Sequence, residues 1–250
     1  MFVIENNEFD SHLIAPRAGR VSFDEKCDIQ GLGAEILKRA RVLDYDFVSL
    51  AVRDNHPPLI ENFILVGTIV EFVSDRDSLA AQTSRARSRY KLRAMSEDQW
   101  PEIERLLQFG GSTRFSNDPN ISVAKRLEHK LAMLRRYQSV CPDLFNIAYN
   151  DGTAIGYQAS TVTADHGLRF YEIAIAPEYR KGFAALNLLD AAISSHQHSY
   201  GGQRQVVTSI YEDNKASLDF FTGLGMQPME APTHHYHLWI KQRQEQTTGK

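Results

Sequence analysis

The residues best placed to do chemistry fall between Arg169 and Gln227. Arg169-Phe-Tyr-Glu-Ile-Ala-Ile-Ala-Pro-Glu-Tyr-Arg-Lys-Gly-Phe-Ala-Ala-Leu186 reads as a buried strand, a glycine-containing turn and the start of an amphipathic helix. Gln205-Val-Val-Thr-Ser-Ile-Tyr-Glu-Asp-Asn214 follows as a second strand, and Ala216-Ser-Leu-Asp-Phe-Phe-Thr-Gly-Leu-Gly225 as a helix closed by glycine. A strand that feeds a helix through a turn of small residues leaves several backbone N–H groups without partners, all aimed at one point. The helix dipole adds positive potential there, so the turn from Arg180 to Ala185 is suited to holding a diphosphate.

Ile173-Ala-Ile-Ala-Pro-Glu-Tyr-Arg180 followed by Gly182-Phe-Ala-Ala185 resembles the acetyl-CoA signature of the GNAT N-acetyltransferase superfamily. Asn214, the pair Phe220-Phe221 and Leu224-Gly225-Met226 resemble its second signature, in the right order and at the right separation. The resemblance implies an α+β fold: a mixed, mostly antiparallel central sheet flanked by helices. It also implies acetyl-CoA as acyl donor and the amine of a small molecule as acceptor. The pantetheine arm would pair with the strand edge Ile173-Ala174-Ile175. The diphosphate would lie on the N–H groups of Arg180, Lys181, Gly182, Phe183, Ala184 and Ala185, with charge from Arg180 and Lys181. Asn214 would hydrogen-bond the cofactor arm, cap a helix as Asn commonly does, or do both.

For the proton of the acceptor ammonium we expect Glu172 as base, because a carboxylate shielded beside the cofactor edge has its pKa raised toward that task. The alternatives are a glutamate facing solvent and one paired to Arg169. Two features depart from the family. The turn from Pro177 to Gly182 is one residue shorter, and Phe221 stands where a tyrosine commonly protonates the departing thiolate. Phenylalanine donates no proton. Three readings stay open: the thiolate leaves unprotonated, Tyr211 or Tyr236 reaches the sulfur, or transfer activity is lost and only ligand binding survives.

Within the superfamily the chain most resembles the TDP-fucosamine acetyltransferase type, which carries a degenerate N-terminal half and a loop like Thr113-Arg114-Phe115. That implies an amino sugar on a nucleotide as acceptor. It would enter between the loop at Arg114 and Phe115, Glu172 and the C-terminal strands near His235.

Composition bounds the remaining options. The chain has 250 residues, 42% of them hydrophobic and 24% charged, with a net charge of −3. That is ordinary for a soluble globular protein, and nothing in the balance points to nucleic acid or an anionic membrane. Cys27 and Cys141 stand far apart and in no metal-ligand spacing, so a reducing, cytoplasmic setting is expected. His235 and His237 alternate and would share a strand face, but no third ligand accompanies them at a zinc-site spacing, and no metal is expected. A homodimer is left open.

The elements that must position these residues divide, on this reading, into a degenerate GNAT-like half-domain at 1–88, a catalytic domain at 89–242 and a frayed tail at 243–250. In the first half, Gly33–Val42 has helical apolar spacing, Phe47–Val52 and Val66–Val73 read as strands, and Leu59–Phe63 as a short helix. Leu59-Ile-Glu-Asn-Phe-Ile-Leu-Val-Gly67 loosely echoes Leu218-Asp-Phe-Phe-Thr-Gly-Leu-Gly225, which suggests a repeat with no cofactor turn of its own. Asp75–Ser88 reads as a polar linker. Arg85, Arg87, Arg89, Lys91 and Arg93 then fall at strand spacing, either a phosphate-contacting face or a solvated edge. Ser96-Glu-Asp-Gln99 is a capping box opening a helix that stops at Gly110-Gly111. Val123–Tyr137 is a second helix, and Asn150-Asp-Gly152 turns a hairpin.

Overall fold

The computed structural model describes residues 1–23, 29–84 and 90–240. Cys27, the arginines at 85, 87 and 89 and the tail from 243 lie outside the described residues. The chain begins β1 (Phe2–Asn6), α1 (Glu8–Leu13), β2 (Ala18–Phe23), α2 (Gly33–Val42), β3 (Phe47–Arg53), β4 (Ile64–Asp75), α3 (Arg76–Thr83) and β5 (Lys91–Ala94). It continues α4 (Trp100–Leu106), α5 (Val123–Val140), β6 (Phe145–Asn150), β7 (Thr153–Val162), β8 (Leu168–Ile175) and α6 (Ala184–Ser199). It ends β9 (Gln205–Tyr211), α7 (Lys215–Gly223), β10 (Gln227–Pro228) and β11 (Thr233–Trp239). Among the described residues no helix is long and apolar enough to cross a membrane.

Two compact units emerge, and neither is one continuous stretch. The first takes Met1–Thr68, Arg114–Lys125 and the chain from Ala231; the second takes Ile69–Thr113 and Arg126–Glu230. This partition differs from a cut at residue 88, because strands far apart in sequence complete each unit.

In the first unit β1 runs antiparallel to β2, β2 parallel to β3, and β3 antiparallel to β11. Side chains alternate across these strands. Val48, Leu50 and Val52 face α2 through Ile36 and Ala40, while Phe47 on the other face packs with Phe115 and Ile121. Gly33 opens α2 because a Cβ there would overlap the backbone of Glu61.

The second unit orders its strands β4-β9-β8-β7-β6-β5, with Ile69–Asp75 of β4 antiparallel to β9 and β10 along the other side of β4. Among the described residues of this unit only β8 and β9 pair in parallel. Leu79 of α3, Leu189 and Ile193 of α6 and Phe221 of α7 cover one face; Trp100, Ile103 and Leu106 of α4 and Leu134 of α5 cover the other. Hydrophobic burial on both faces of one sheet accounts for the layered arrangement. The pairing of β1, β2 and β3 around α2 repeats that of β7, β8 and β9 around α6. The loose sequence echo does not share a conformation, since Leu218–Phe221 is helical.

Two local expectations are corrected. Asp75–Ser88 is no linker in its first part. Asp75 caps α3 by accepting from the N–H groups of Asp77 and Ser78, and Leu79 and Thr83 are buried. The polar composition hid a capped helix with a narrow buried stripe. Leu59–Phe63 forms a turn instead of a helix, because Asn62 is left-handed at φ 67°. The capping box at Ser96 and Gln99 forms, followed by α4, and Asp151 and Gly152 both take positive φ in the hairpin turn. Lys91 and Arg93 are exposed on β5, and the Arg93 guanidinium lies 4.8 Å from the Tyr149 ring centroid.

Candidate active site

A bulge in β8 sets the geometry of the site. Ala159 of β7 stands opposite Glu172 and Ser160 opposite Phe170, so Tyr171 is the extra residue. Such a bulge bends its strand and sharpens its twist. On the other side, the parallel pairing of β8 to β9 runs from Leu168↔Val206 to Phe170↔Thr208 and stops there. Both strands continue beyond that point, so Ile173 and Ile175, whose backbone groups point away from β7, form an edge that β9 does not pair. Across β7, Gly156 permits close packing: a Cβ there would sit 2.5 Å from Ile175 Cδ1 and 2.7 Å from the Ala174 carbonyl.

Beyond β8 the chain makes a 3-10 turn at Pro177–Tyr179, and the Gly182 N–H closes onto the Tyr179 carbonyl at 3.0 Å. Helix α6 has no side-chain cap, and its first intrahelical bond runs from Asn187 N–H to the Phe183 carbonyl at 2.9 Å. The N–H groups of Ala184, Ala185 and Leu186 therefore have no intrahelical acceptor. Lys181, Gly182 and Phe183 are exposed, Ala185 half-buried and Ala184 buried. At Gly182 the turn runs close to the Tyr90 hydroxyl, which a Cβ would meet at 2.6 Å. Arg180 is more occupied than expected: Nε donates to the Ile175 carbonyl at 3.1 Å and Nη2 to the Phe109 carbonyl at 3.3 Å. It braces the turn, and Lys181 stands exposed beside it.

Glu172 faces neither solvent nor Arg169. Arg169 pairs with Glu71 at 2.6 Å, whereas Glu172 Oε1 meets Lys130 Nζ at 2.5 Å and accepts from the Tyr157 hydroxyl at 3.0 Å. Burial pushes the Glu172 carboxyl above its usual range, with Lys130 and Tyr157 pulling the other way. Burial and the neighbouring carboxylate push the Tyr157 phenol well up, so it stays protonated and donates. Neither Lys130 nor Tyr157 stood out in the sequence. Lys130 sits on the buried face of an otherwise ordinary amphipathic helix, where spacing alone points to leucines.

The two tyrosines weighed as proton donors separate clearly. Tyr211 ends β9, half-buried, in register with Ile69. It alternates with Ser209, which accepts from Arg169, and Arg169 and Glu172 stand opposite Thr161 and Ala159 on one face of β7. Tyr211 thus shares the Glu172 face of the second unit's sheet. Tyr236 belongs to the first unit, where it is buried and donates to the Pro58 carbonyl at 2.7 Å. Burial lifts its pKa to about 12. Asn214 caps α7, its Oδ1 accepting from Ser217 N–H at 3.2 Å, while its Nδ2 would lie 3.2 Å from a Cβ on Gly111. Phe221 is a core residue, stacked on Phe170 at 6.3 Å.

The residues expected at the acceptor also belong to the first unit. Arg114 gives Nη2 to both oxygens of the fully buried Asp10 at 2.6 Å. Phe115 is buried in the core beside Phe47 and His237, so its ring is packed away from solvent. His235 is half-buried, and burial together with the Arg114 charge lowers its pKa to about 4. On the same strand face, His237 pairs with Asp118 at 2.6 Å. Among the described residues there is no cluster of three or more metal-ligating side chains.

The fold so assembled is that of the GNAT N-acetyltransferases. The chain is similar to a tandem GNAT protein from the clavulanic acid biosynthesis pathway, with 15% identity and a TM-score of 0.60, covering 90% of this chain and 75% of that one. It is similar to a GCN5-related N-acetyltransferase from Sphaerobacter thermophilus at 14% identity and TM-score 0.59, covering 96% and 76% respectively. A functionally unknown conserved protein from Staphylococcus epidermidis aligns with 12% identity and TM-score 0.63 over 93% of this chain and 89% of that one. No protein-family model and no curated protein matches the sequence.

Proposed function

We propose that the protein is an N-acetyltransferase that moves acetyl from acetyl-CoA to a small primary amine by direct attack in a ternary complex. The observation that carries this reading is the parting of β8 from β9 after Phe170, directly before the uncapped end of α6. The Ile173 and Ile175 amides, which β9 does not pair, can bond the pantetheine arm as an added strand would, the Ile175 carbonyl being taken up by Arg180 Nε. The N–H groups of Ala184–Leu186, with Lys181 beside them, suit the diphosphate. Fold alone does not define chemistry, so the weight rests on this local geometry.

In the reaction, Glu172 takes one proton from the acceptor ammonium. The neutral nitrogen attacks the thioester carbonyl, a C–N bond forms, and the C–S bond breaks with its electron pair on sulfur. The second nitrogen proton ends on the thiolate or in solvent. A thiol pKa of about 8.5 makes the thiolate a fair leaving group, and Tyr211, on the Glu172 face of the sheet, is the candidate donor. The acceptor is a small primary amine; an amino sugar on a nucleotide as that amine rests on the sequence resemblance alone. The tandem GNAT neighbour, together with the repeated β1-β2-α2-β3 pairing, supports reading the first unit as a degenerate copy of the second.

A second reading, a catalytically silent acyl-CoA-binding protein, is favoured by Phe221 alone, which stands at the expected tyrosine and lies in the core. Release of CoA thiol, assayed over a panel of primary amines, separates the two. Thiol release with at least one amine supports transfer. Acetyl-CoA binding in calorimetry without thiol release from any acceptor leaves the silent reading.

A further inference from the structure

Lys130 has no counterpart in either sequence signature, yet the whole residue is only 4% exposed. A buried ammonium persists only where its donors are matched. Three acceptors surround Nζ: Glu172 Oε1 at 2.5 Å, the Gly111 carbonyl at 3.1 Å and the Leu107 carbonyl at 3.4 Å. The loop that brings those carbonyls depends on Gly110, because a Cβ there would overlap both Glu172 Oε1 and Lys130 Nζ. Lys130 and Tyr157 both contact Oε1, so among the described residues Oε2 carries neither bond. The arrangement clamps one carboxylate oxygen and leaves the other.

We infer that Lys130 is a positioning residue for Glu172: it locks Oε1 and turns Oε2 toward the acceptor nitrogen. This rests on the reading of Glu172 as base. Lys130 does not itself exchange a proton with substrate, since its three donors are already matched. Its charge opposes the rise that burial imposes on the Glu172 carboxyl. Among the described residues the titratable groups facing Glu172 are Lys130 from α5 and Tyr157 from β7, with Tyr171 next to Tyr157; the loop after α4 contributes backbone carbonyls.

The experiment is an NMR titration of the whole protein labelled with δ-13C-glutamate, with Glu172→Gln to assign the resonance, run on wild type and Lys130→Met beside their pH–rate profiles. Removing a paired cation should raise the Glu172 midpoint by about one to three pH units. The acid limb of kcat/KM should move up by the same amount, with turnover recovered at high pH. An unmoved Glu172 midpoint in folded Lys130→Met overturns the inference whatever the activity does. A moved midpoint with an unmoved acid limb keeps the clamp and removes Glu172 as base. Should Lys130→Met not fold, the wild-type Lys 15Nζ signal decides. A slowly exchanging ammonium that shifts with the Glu172 midpoint supports the clamp; a freely exchanging one that ignores it overturns the clamp.

Discussion

Glu172 can work as a base only above its own pKa, which burial raises and Lys130 partly restores. Activity should therefore rise with pH through that value. Glu172→Gln should lower kcat/KM by about 10²–10⁴-fold and abolish that limb, measured in steady-state thiol release. The stability linkage has the opposite sense. A folded pKa above the unfolded one means this group's contribution is full below the unfolded value and falls as pH rises through the folded value. Lys130→Met leaves a carboxylate buried without its partner and should cost about 3–5 kcal/mol in urea unfolding. Lys130→Met combined with Glu172→Gln should cost less than Lys130→Met alone; a larger loss from the double variant would contradict the buried-pair account. The tyrosines give a cleaner contrast. Tyr236→Phe strands the Pro58 carbonyl and should cost about 1–3 kcal/mol of stability with turnover unchanged. For Tyr211→Phe, a fall in kcat would mark Tyr211 as the thiolate's proton donor.

The bulge in β8 and the glycine facing it govern the cofactor edge. Gly156→Ala would push Ile175 and Ala174 off their present line. Overpacking of this kind costs about 1–3 kcal/mol of stability, and the displaced edge should weaken acetyl-CoA binding by calorimetry. Unchanged affinity would show that the position of this edge does not matter. Much of the element order was readable beforehand, because α2, α5, the Ser96 capping box and the hairpin at Asp151 announce themselves through local spacing and turn chemistry. The parting of β8 from β9 was not, since no local pattern tells which strand a residue will pair with, or where that pairing stops. Lys130 escaped for a related reason: its partner lies on a distant strand, and a lone lysine on a helix normally means solvent. Helix α3 escaped because one capping carboxylate, Asp75, does the work that a longer apolar stripe would do elsewhere.

Each compact unit needs a strand from a remote part of the chain. β11 completes the first beside β3, and Ile69–Asp75 completes the second beside β9. A fragment cut at residue 89 loses the strand on β9, together with the buried Phe72 and Leu79. Residues 69–230 should therefore unfold cooperatively in urea, whereas 89–230 should show a broad, shallow transition. Cooperative unfolding of 89–230 would contradict the interleaved division and favour two sequential domains.

The central claim is that the unpaired β8 edge and the start of α6 together grip an acyl-CoA. Backbone hydrogen exchange of the whole protein, with and without saturating acetyl-CoA, tests it directly. With acetyl-CoA, exchange should slow at Ile173 and Ile175 and from Lys181 to Leu186, with the first unit's β2 and β3 unchanged. Protection elsewhere, or none at those amides, would contradict it.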